Sequence, residues 1–369
     1  MMLHNDFSLA LLRWFQANGR ELPWRQTRDP YPIWLSEIIL QQTRVKQGWD
    51  YWERFMRRWP TVELLAAASE DEVLREWQGL GYYSRARNLH AAARQVVAMG
   101  GFPQTLDGIK GLKGVGDYTA AAIGSFAFDL PAAVVDGNVY RVLARHYGIA
   151  TPINSTEGKR EFAVLAQQLL PADRAADYNQ AIMDFGALQC TPQNPRCDAC
   201  PLVESCVALR EGRVDELPVK NRKLTVKTRH LTYIYIRCKG QVALHRRGEG
   251  DIWQGLWEPV LLEESGALSR GLSGEWREES GERLPYRQED QQNYSLSSLL
   301  SSLSSNATKL TLLRKNVKHV LTHRILLADF YLMETDERPK IPSDYIWVDE
   351  GEIDSYAVPR LIEILFLSL

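Results

Sequence analysis

The sequence predicts two domains, an all-helical first half followed by a mixed α+β second half. Three observations carry this. Apolar residues recur at helical spacing up to about residue 210; β-branched and aromatic runs replace them after residue 230; and 369 residues exceed one ordinary domain. With 45% hydrophobic and 24% charged residues, the chain has the composition of a globular protein with ample core.

In the first half Phe7, Leu11, Leu12, Trp14 and Phe15 form a helical stripe that stops at Gly19. The same period runs through Trp34–Val45, Val73–Trp77, Ala86–Met99, Tyr118–Phe128, Val139–Tyr147 and Phe162–Leu170. Asp29-Pro30 and Gly79-Leu80-Gly81 punctuate it, and no stretch alternates as a strand would. After residue 230 the strand candidates are 231–238, then 241–246 across a Lys239-Gly240 hairpin turn. Glu258–Leu262, Val317–Leu321, Leu326–Met333 and Tyr345–Val348 follow, with a closing helix near Pro359–Leu367. The Ser/Leu-rich segment 294–305 reads equally as a weak amphipathic helix or an insert.

Charge divides the chain in the same way. Residues 1–210 carry 22 basic and 22 acidic side chains, 211–230 six and three, and 231–369 sixteen and 21. The expected organisation is a helical domain at 1–210, a basic linker at 211–230 and an α+β domain at 231–369. A net charge of −2 argues against holding nucleic acid by bulk charge, so any such function must rest on local geometry. No apolar run reaches membrane-spanning length, and no basic region followed by an apolar stretch opens the chain. The expectation is a cytoplasmic, non-secreted protein without a membrane partner.

Four of the five cysteines fall close together, Cys190, Cys197, Cys200 and Cys206, spaced C-x6-C-x2-C-x5-C. Four thiolates form a soft ligand set suited to zinc or to an iron–sulfur cluster, and spacing alone does not choose between them. Cys238 reads as an ordinary buried thiol.

Residues 112–116 (LKGVG) form a glycine-rich turn opening a helix at 117–123. Such a turn exposes backbone N–H groups at a positive helix end, which suits a phosphate oxygen. Glu37 lies in WLSEIIL, sharing a helical face with Ile33, Leu40 and Gln41. Apolar surroundings raise a carboxyl pKa and suit it to donate a proton, although a structural ion pair is the plainer reading. Asp136, before Gly137-Asn138-Val139, reads first as a helix N-cap.

Taken together, LKGVG-DYTA, VVDGNV and the cysteine loop resemble the endonuclease III-type DNA glycosylases of the helix-hairpin-helix superfamily. Within it, LSEIILQQTRV (35–45) and GLGYYSRARNLH (79–90) closely resemble the MutY family of adenine DNA glycosylases. LWEP (256–259) and LTHRIL (321–326) are more weakly similar to that family's Nudix-like domain. The resemblance implies an all-α helix-hairpin-helix glycosylase domain with an iron–sulfur loop, followed by a smaller α+β Nudix-like domain. It assigns a [4Fe–4S] cluster to Cys190, Cys197, Cys200 and Cys206.

The activity it implies is excision of adenine mispaired with 8-oxoguanine or guanine in double-stranded DNA, by a monomer. Glu37 would protonate adenine N7 and Asp136 would stabilise the sugar cation, with Tyr118 and Asn138 orienting the group. Tyr118 stands where strand-cleaving relatives carry a nucleophilic lysine, which implies a monofunctional enzyme that uses water. Trp24, Arg25 and Asp184 would line the adenine pocket. Gln41 and Tyr82 would enter the duplex, Thr43 and Leu80 would touch the opposite guanine, and Gly114 and Gly116 would offer amides to phosphate. Thr322 and His323 match the loop that senses 8-oxoguanine.

Three other readings compete. Endonuclease III-like removal of oxidised pyrimidines is opposed by Tyr118 and by the extra C-terminal domain. Nucleoside-diphosphate hydrolysis needs a glutamate-rich box of which 274–282 reproduces only fragments. A noncatalytic iron–sulfur DNA sensor would have no need of both Glu37 and Asp136.

Overall fold

The computed structural model describes residues 4–221, 226–262 and 309–369. The segments 274–282 and 294–305 lie outside the described residues. The chain divides into two compact units, Met1–Lys223 and Leu224–Leu369.

The first unit is helical. Its helices are α1 (His4–Asn18), α2 (Pro30–Leu40), α3 (Val45–Arg58), α4 (Val62–Ala67), α5 (Glu70–Trp77) and α6 (Ser84–Ala98). Then come α7 (Leu106–Lys110), α8 (Asp117–Phe128), α9 (Gly137–Tyr147), α10 (Thr156–Leu169), α11 (Ala175–Leu188) and α12 (Val207–Arg210). Local chemistry sets the boundaries. Asp29 caps α2 through the Tyr31 amide, Ser69 and Glu72 close a capping box on α5, and left-handed Gly148 ends α9. Helix α2 is buried from Tyr31 to Ile39, so it lies in the core rather than on it.

The periodicity of Trp34–Val45 is broken in the structure. α2 stops at Leu40, Gln42 takes φ +57°, and α3 begins at Val45. The Arg85 guanidinium donates to the carbonyl oxygens of Ile38 (3.0 Å), Ile39 (3.2 Å) and Gln41 (2.5 Å), which fixes that end. Helix α11 gave little periodic signal because it is buried on most sides.

The 211–230 stretch is not a solvated connector along its whole length. Leu217 is 2% exposed, Val219 accepts a hydrogen bond from the Ile153 amide (3.0 Å), and Arg145 donates to the carbonyls of Val214 and Leu217. Residues from Lys227 onward already belong to the first strand. The basic composition hid one apolar anchor and a run of backbone partners.

The second unit contains β1 (Lys227–Cys238), β2 (Gln241–Arg246), β3 (Trp257–Glu258), β4 (Val260–Leu262), β5 (Lys309–Val320), β6 (Arg324–Thr335), β7 (Tyr345–Asp349) and the helix α13 (Arg360–Phe366). The strand order is β3-β2-β1-β6-β5, with β4 on β1 and β7 on β2. β1 and β6 run parallel while their other pairings are antiparallel. The central β1 is continuously buried from Tyr233 to Ile236, as expected of a strand covered on both faces.

Candidate active site

A cavity of about 170 Å³ opens in the helical unit between the residues around α2 and α11. Its walls include Arg20, Trp24, Arg25, Ser36, Glu37, Gln180 and Met183. A cavity of roughly 150 Å³ accommodates benzene, so this space suits a single planar ring. Trp24 is 5% exposed and is held edge-on by Trp49 (5.7 Å) and packed against Trp52 (5.5 Å).

Glu37 reaches this cavity from a helix that offers its carboxyl little water. Burial pushes its pKa up to about 7, against the Tyr118 hydrogen bond and the positive charge of Arg25, while the charge of Asp136 raises it further. The Tyr118 hydroxyl donates to Glu37 Oε2 at 2.8 Å and lies 3.9 Å from Met183 Sδ. Burial, with both carboxylates nearby, holds Tyr118 well above the ordinary phenol value, so it stays protonated.

Asp136 caps α9. Its Oδ1 accepts from the amides of Asn138 and Val139, and its Oδ2 from Asn138 Nδ2, each at 2.8 Å. Burial raises its pKa, and these bonds with the Arg141 charge oppose the rise. Both expected roles of this residue are thus compatible: the cap orients a carboxylate whose charge is felt at Glu37 and Tyr118. None of Asp136, Asn138 and Tyr118 forms a wall of the cavity; Tyr118 is joined to it through Glu37.

Asp184 departs from the sequence expectation. It is fully buried and does not line the cavity. Instead it accepts hydrogen bonds from Arg20 and Arg25, both of which do line it. Burial works to raise its pKa, but the two guanidinium groups hold it down at about 2. Asp184 is therefore the anchor behind two cationic walls, and its carboxylate oxygens are spent on them.

Of the residues expected to meet DNA, Gln41 donates to Thr119 Oγ1 at 3.3 Å and Thr43 folds back onto the Gln41 carbonyl at 3.4 Å. Tyr82 is exposed at φ +47°, whereas Leu80, 8% exposed, packs inward beneath the same turn. That burial leaves Leu80 without the outward surface the sequence reading gave it. Between α7 and α8, Gly114 has φ +75°, and a Cβ there would meet Asn88 Cβ at 2.7 Å. Gly116 has φ −94° and open space where a Cβ would stand, and no side chain caps the first turn of α8. Thr322 and His323 are exposed in the turn between β5 and β6.

The four clustered cysteines line one cavity with Arg145, yet among the described residues no three ligands converge on a single-ion site. Four thiols lining one cavity make an all-sulfur donor set that fits an iron–sulfur cluster. Burial and neighbouring thiols raise Cys197 and Cys206, and Cys200 to about 11, so bare thiolates are disfavoured there. Arg145 Nη1 lies 3.5 Å from Cys190 Sγ and also donates to the Thr191 carbonyl at 2.7 Å. Arg141 donates to the carbonyls of Cys190 (2.7 Å) and Gly186 (2.6 Å) and to Asn138 Oδ1 (2.8 Å). Sequence reasoning missed Arg20, Arg141, Arg145 and Gln180. Two arginines one helical turn apart, just after the DGN motif, were the available signal for Arg141 and Arg145.

Residues 35–168 match the HhH-GPD superfamily of base excision DNA repair proteins, 190–206 the iron–sulfur binding domain of endonuclease III, and 232–367 the NUDIX domain. The chain is similar to the adenine DNA glycosylase of Buchnera aphidicola subsp. Schizaphis graminum, 35% identical over 254 residues, covering 68% of this chain and 73% of that protein. It is also similar to the adenine DNA glycosylase of Rattus norvegicus, 45% identical over 226 residues, covering 58% of this chain and 44% of the rat protein. Among solved structures, a thermostable thymine-DNA glycosylase superposes with TM-score 0.53 at 31% identity, covering 56% of this chain and 97% of its own. An endonuclease III trapped on DNA shares the fold, with TM-score 0.50 at 22% identity, covering 57% of this chain and 99% of its own.

Two outcomes are expected. Asp184→Ala leaves two partly buried guanidinium groups unpaired and should cost about 3 kcal/mol of stability in denaturant titrations. Because the folded pKa of Asp184 is depressed to about 2, its contribution is present above the ordinary carboxylate value and fades as pH falls from about 4 towards 2. Elemental analysis of the purified chain should find iron and sulfide, with visible absorption, and Cys197→Ala should lose both; zinc in their place would contradict the cluster.

Proposed function

The chain belongs to the adenine DNA glycosylase family, and from that premise we propose that it removes adenine opposite 8-oxoguanine, or opposite guanine, by a hydrolysis run between Glu37 and Asp136. The observation that carries this is the Glu37 carboxyl: buried at a ring-sized cavity, raised to about 7, and hydrogen-bonded by a phenol that cannot ionise. A group with that pKa still holds its proton near neutrality and can surrender it.

Adenine is a poor leaving group until a ring nitrogen is protonated. The base must first leave the stack. Glu37 then gives its proton to adenine N7, the glycosidic C–N bond breaks with its electron pair going to the base, and an oxocarbenium-like sugar remains. Asp136, oriented by three hydrogen bonds at a helix N-terminus, stabilises that positive charge in its carboxylate form. Water attacks the sugar carbon, and its proton returns to the Glu37 carboxylate, which restores the starting state. Tyr118 holds Glu37 in place and, staying protonated, is no nucleophile, which supports a monofunctional enzyme. Asn138 steadies Asp136 and is itself steadied by Arg141.

Arg20, Trp24 and Arg25 form the pocket wall, with Asp184 behind the two arginines. Gln41 and Tyr82 enter the duplex. The uncapped start of α8, after Gly114 and Gly116, receives a backbone phosphate. Cys190, Cys197, Cys200 and Cys206 would hold the cluster, which when bound would cross-link the loop after α11. In the second unit Thr322 and His323 read the damaged guanine from an exposed turn.

Glu37→Gln should lower single-turnover adenine release by about 10²–10⁴-fold while leaving duplex binding largely intact. In the unaltered chain, release should fall about tenfold per pH unit above roughly 7, since the acid form of Glu37 is present below that value and lost above it. Replacing Thr322 and His323 together by Ala should narrow the preference for 8-oxoguanine over guanine more than it slows release from a saturated A:G duplex. Equal preference in that variant would remove the reader role.

A further inference from the structure

The second unit is acidic over residues 231–369, yet residues 309–324 carry five Lys or Arg, two His and no acid. Those residues make up β5, the turn after it and the start of β6. Among the described strands β5 ends the sheet order, so one of its edges is unpaired by them. Its pairing with β6 slips twice, between Leu312 and Arg314 and again between Arg314 and Val317.

Asn316 sits within the second slip at φ +54°, and its amide donates to Asp329 Oδ1 at 2.7 Å. The neighbouring strand thus pins a protruding bulge, a device that re-aims side chains. Arg314, Lys315 and Lys318 are all exposed, and no ion pair among the described residues includes them. Among the described residues the acid facing the bulge from β6, Asp329, accepts from the Asn316 amide.

We infer that Arg314, Lys315 and Lys318 form a phosphate-binding rail that tracks the backbone of duplex DNA away from the Thr322–His323 turn. Unpaired cations on a strand edge match a regular row of anions, and they supply locally the charge that the whole chain lacks. From Asn316 to Thr322 the strand spans roughly 20 Å. At about 3.4 Å per base pair this places the contacted phosphates about six base pairs from the mispair. The position relative to the mispair rests on the proposed reading of Thr322 and His323; phosphate binding itself does not. Lysines also blunt edge strands against self-association, and the test separates that role.

The experiment compares the full chain with a variant carrying Arg314→Ala, Lys315→Ala and Lys318→Ala. Kd is measured on a duplex extending about ten base pairs either side of an A:8-oxoguanine pair, over a series of salt concentrations. The slope of log Kd against log salt should shrink by about 2–3, roughly one for each phosphate no longer neutralised, with the saturated single-turnover rate unchanged. With the unaltered chain, replacing phosphates about six base pairs from the mispair by neutral methylphosphonates should shrink the slope similarly, and should add little to the triple variant. An unchanged slope overturns the rail, with or without self-association of the variant. A smaller slope in the variant of a chain that releases no adenine would sustain the rail while overturning the proposed chemistry.

Discussion

Keeping a carboxyl group inside an almost wholly buried helix is the constraint around which the first unit is organised. Glu37 is 7% exposed in a helix whose residues from Tyr31 to Ile39 are all buried. Desolvation disfavours its charge, and the surroundings compensate only in part: one phenol donates to it, one guanidinium attracts it, and one further carboxylate repels it. Full compensation would return the group to an ordinary, strongly ionised carboxylate. The remaining imbalance leaves a proton on it at neutral pH. Burial raises the pKa of Asp136 too, but three donors at the positive end of a helix and the Arg141 charge oppose that rise.

Buried and half-buried arginines do much of the holding. Arg85 gathers the carbonyls at the end of α2 and also donates to Gly81, tying the helix that bears Glu37 to the turn that bears Tyr82. Burial pushes its pKa down to about 10, so it keeps its charge at neutral pH. Arg141 joins the Asp136–Asn138 pair to the first cysteine of the cluster loop, and Arg145 gathers that loop and the chain beyond it. A planar guanidinium can satisfy several carbonyls at once, which suits it to helix ends that would otherwise be buried without partners.

Much of this was legible in the sequence, for physical reasons. The change in hydrophobic period near residue 230 announced two kinds of domain, because helices and strands bury different spacings. The glycine at 114 and the cysteine spacing announced local backbone and ligand chemistry that few other residues can supply. What was hidden depended on tertiary partners. Asp184 read as a pocket residue because its sequence neighbours do not show that Arg20 and Arg25 consume both its oxygens. The break after Leu40 was invisible because the arginine that satisfies its carbonyls lies more than forty residues away. Leu217 anchored a stretch whose charge suggested solvent. The bulge at Asn316 is set by a pairing slip that β-propensity does not encode.

The protonation of Glu37 can be observed without turnover. In protein carrying ¹³C at glutamate carboxyl carbons, with Glu37→Gln used to assign the signal, the Glu37 resonance should titrate with a midpoint near pH 7. A midpoint at the ordinary glutamate value, about 4.3, would mean the side chain is a spent carboxylate at neutral pH and would contradict its role as proton donor.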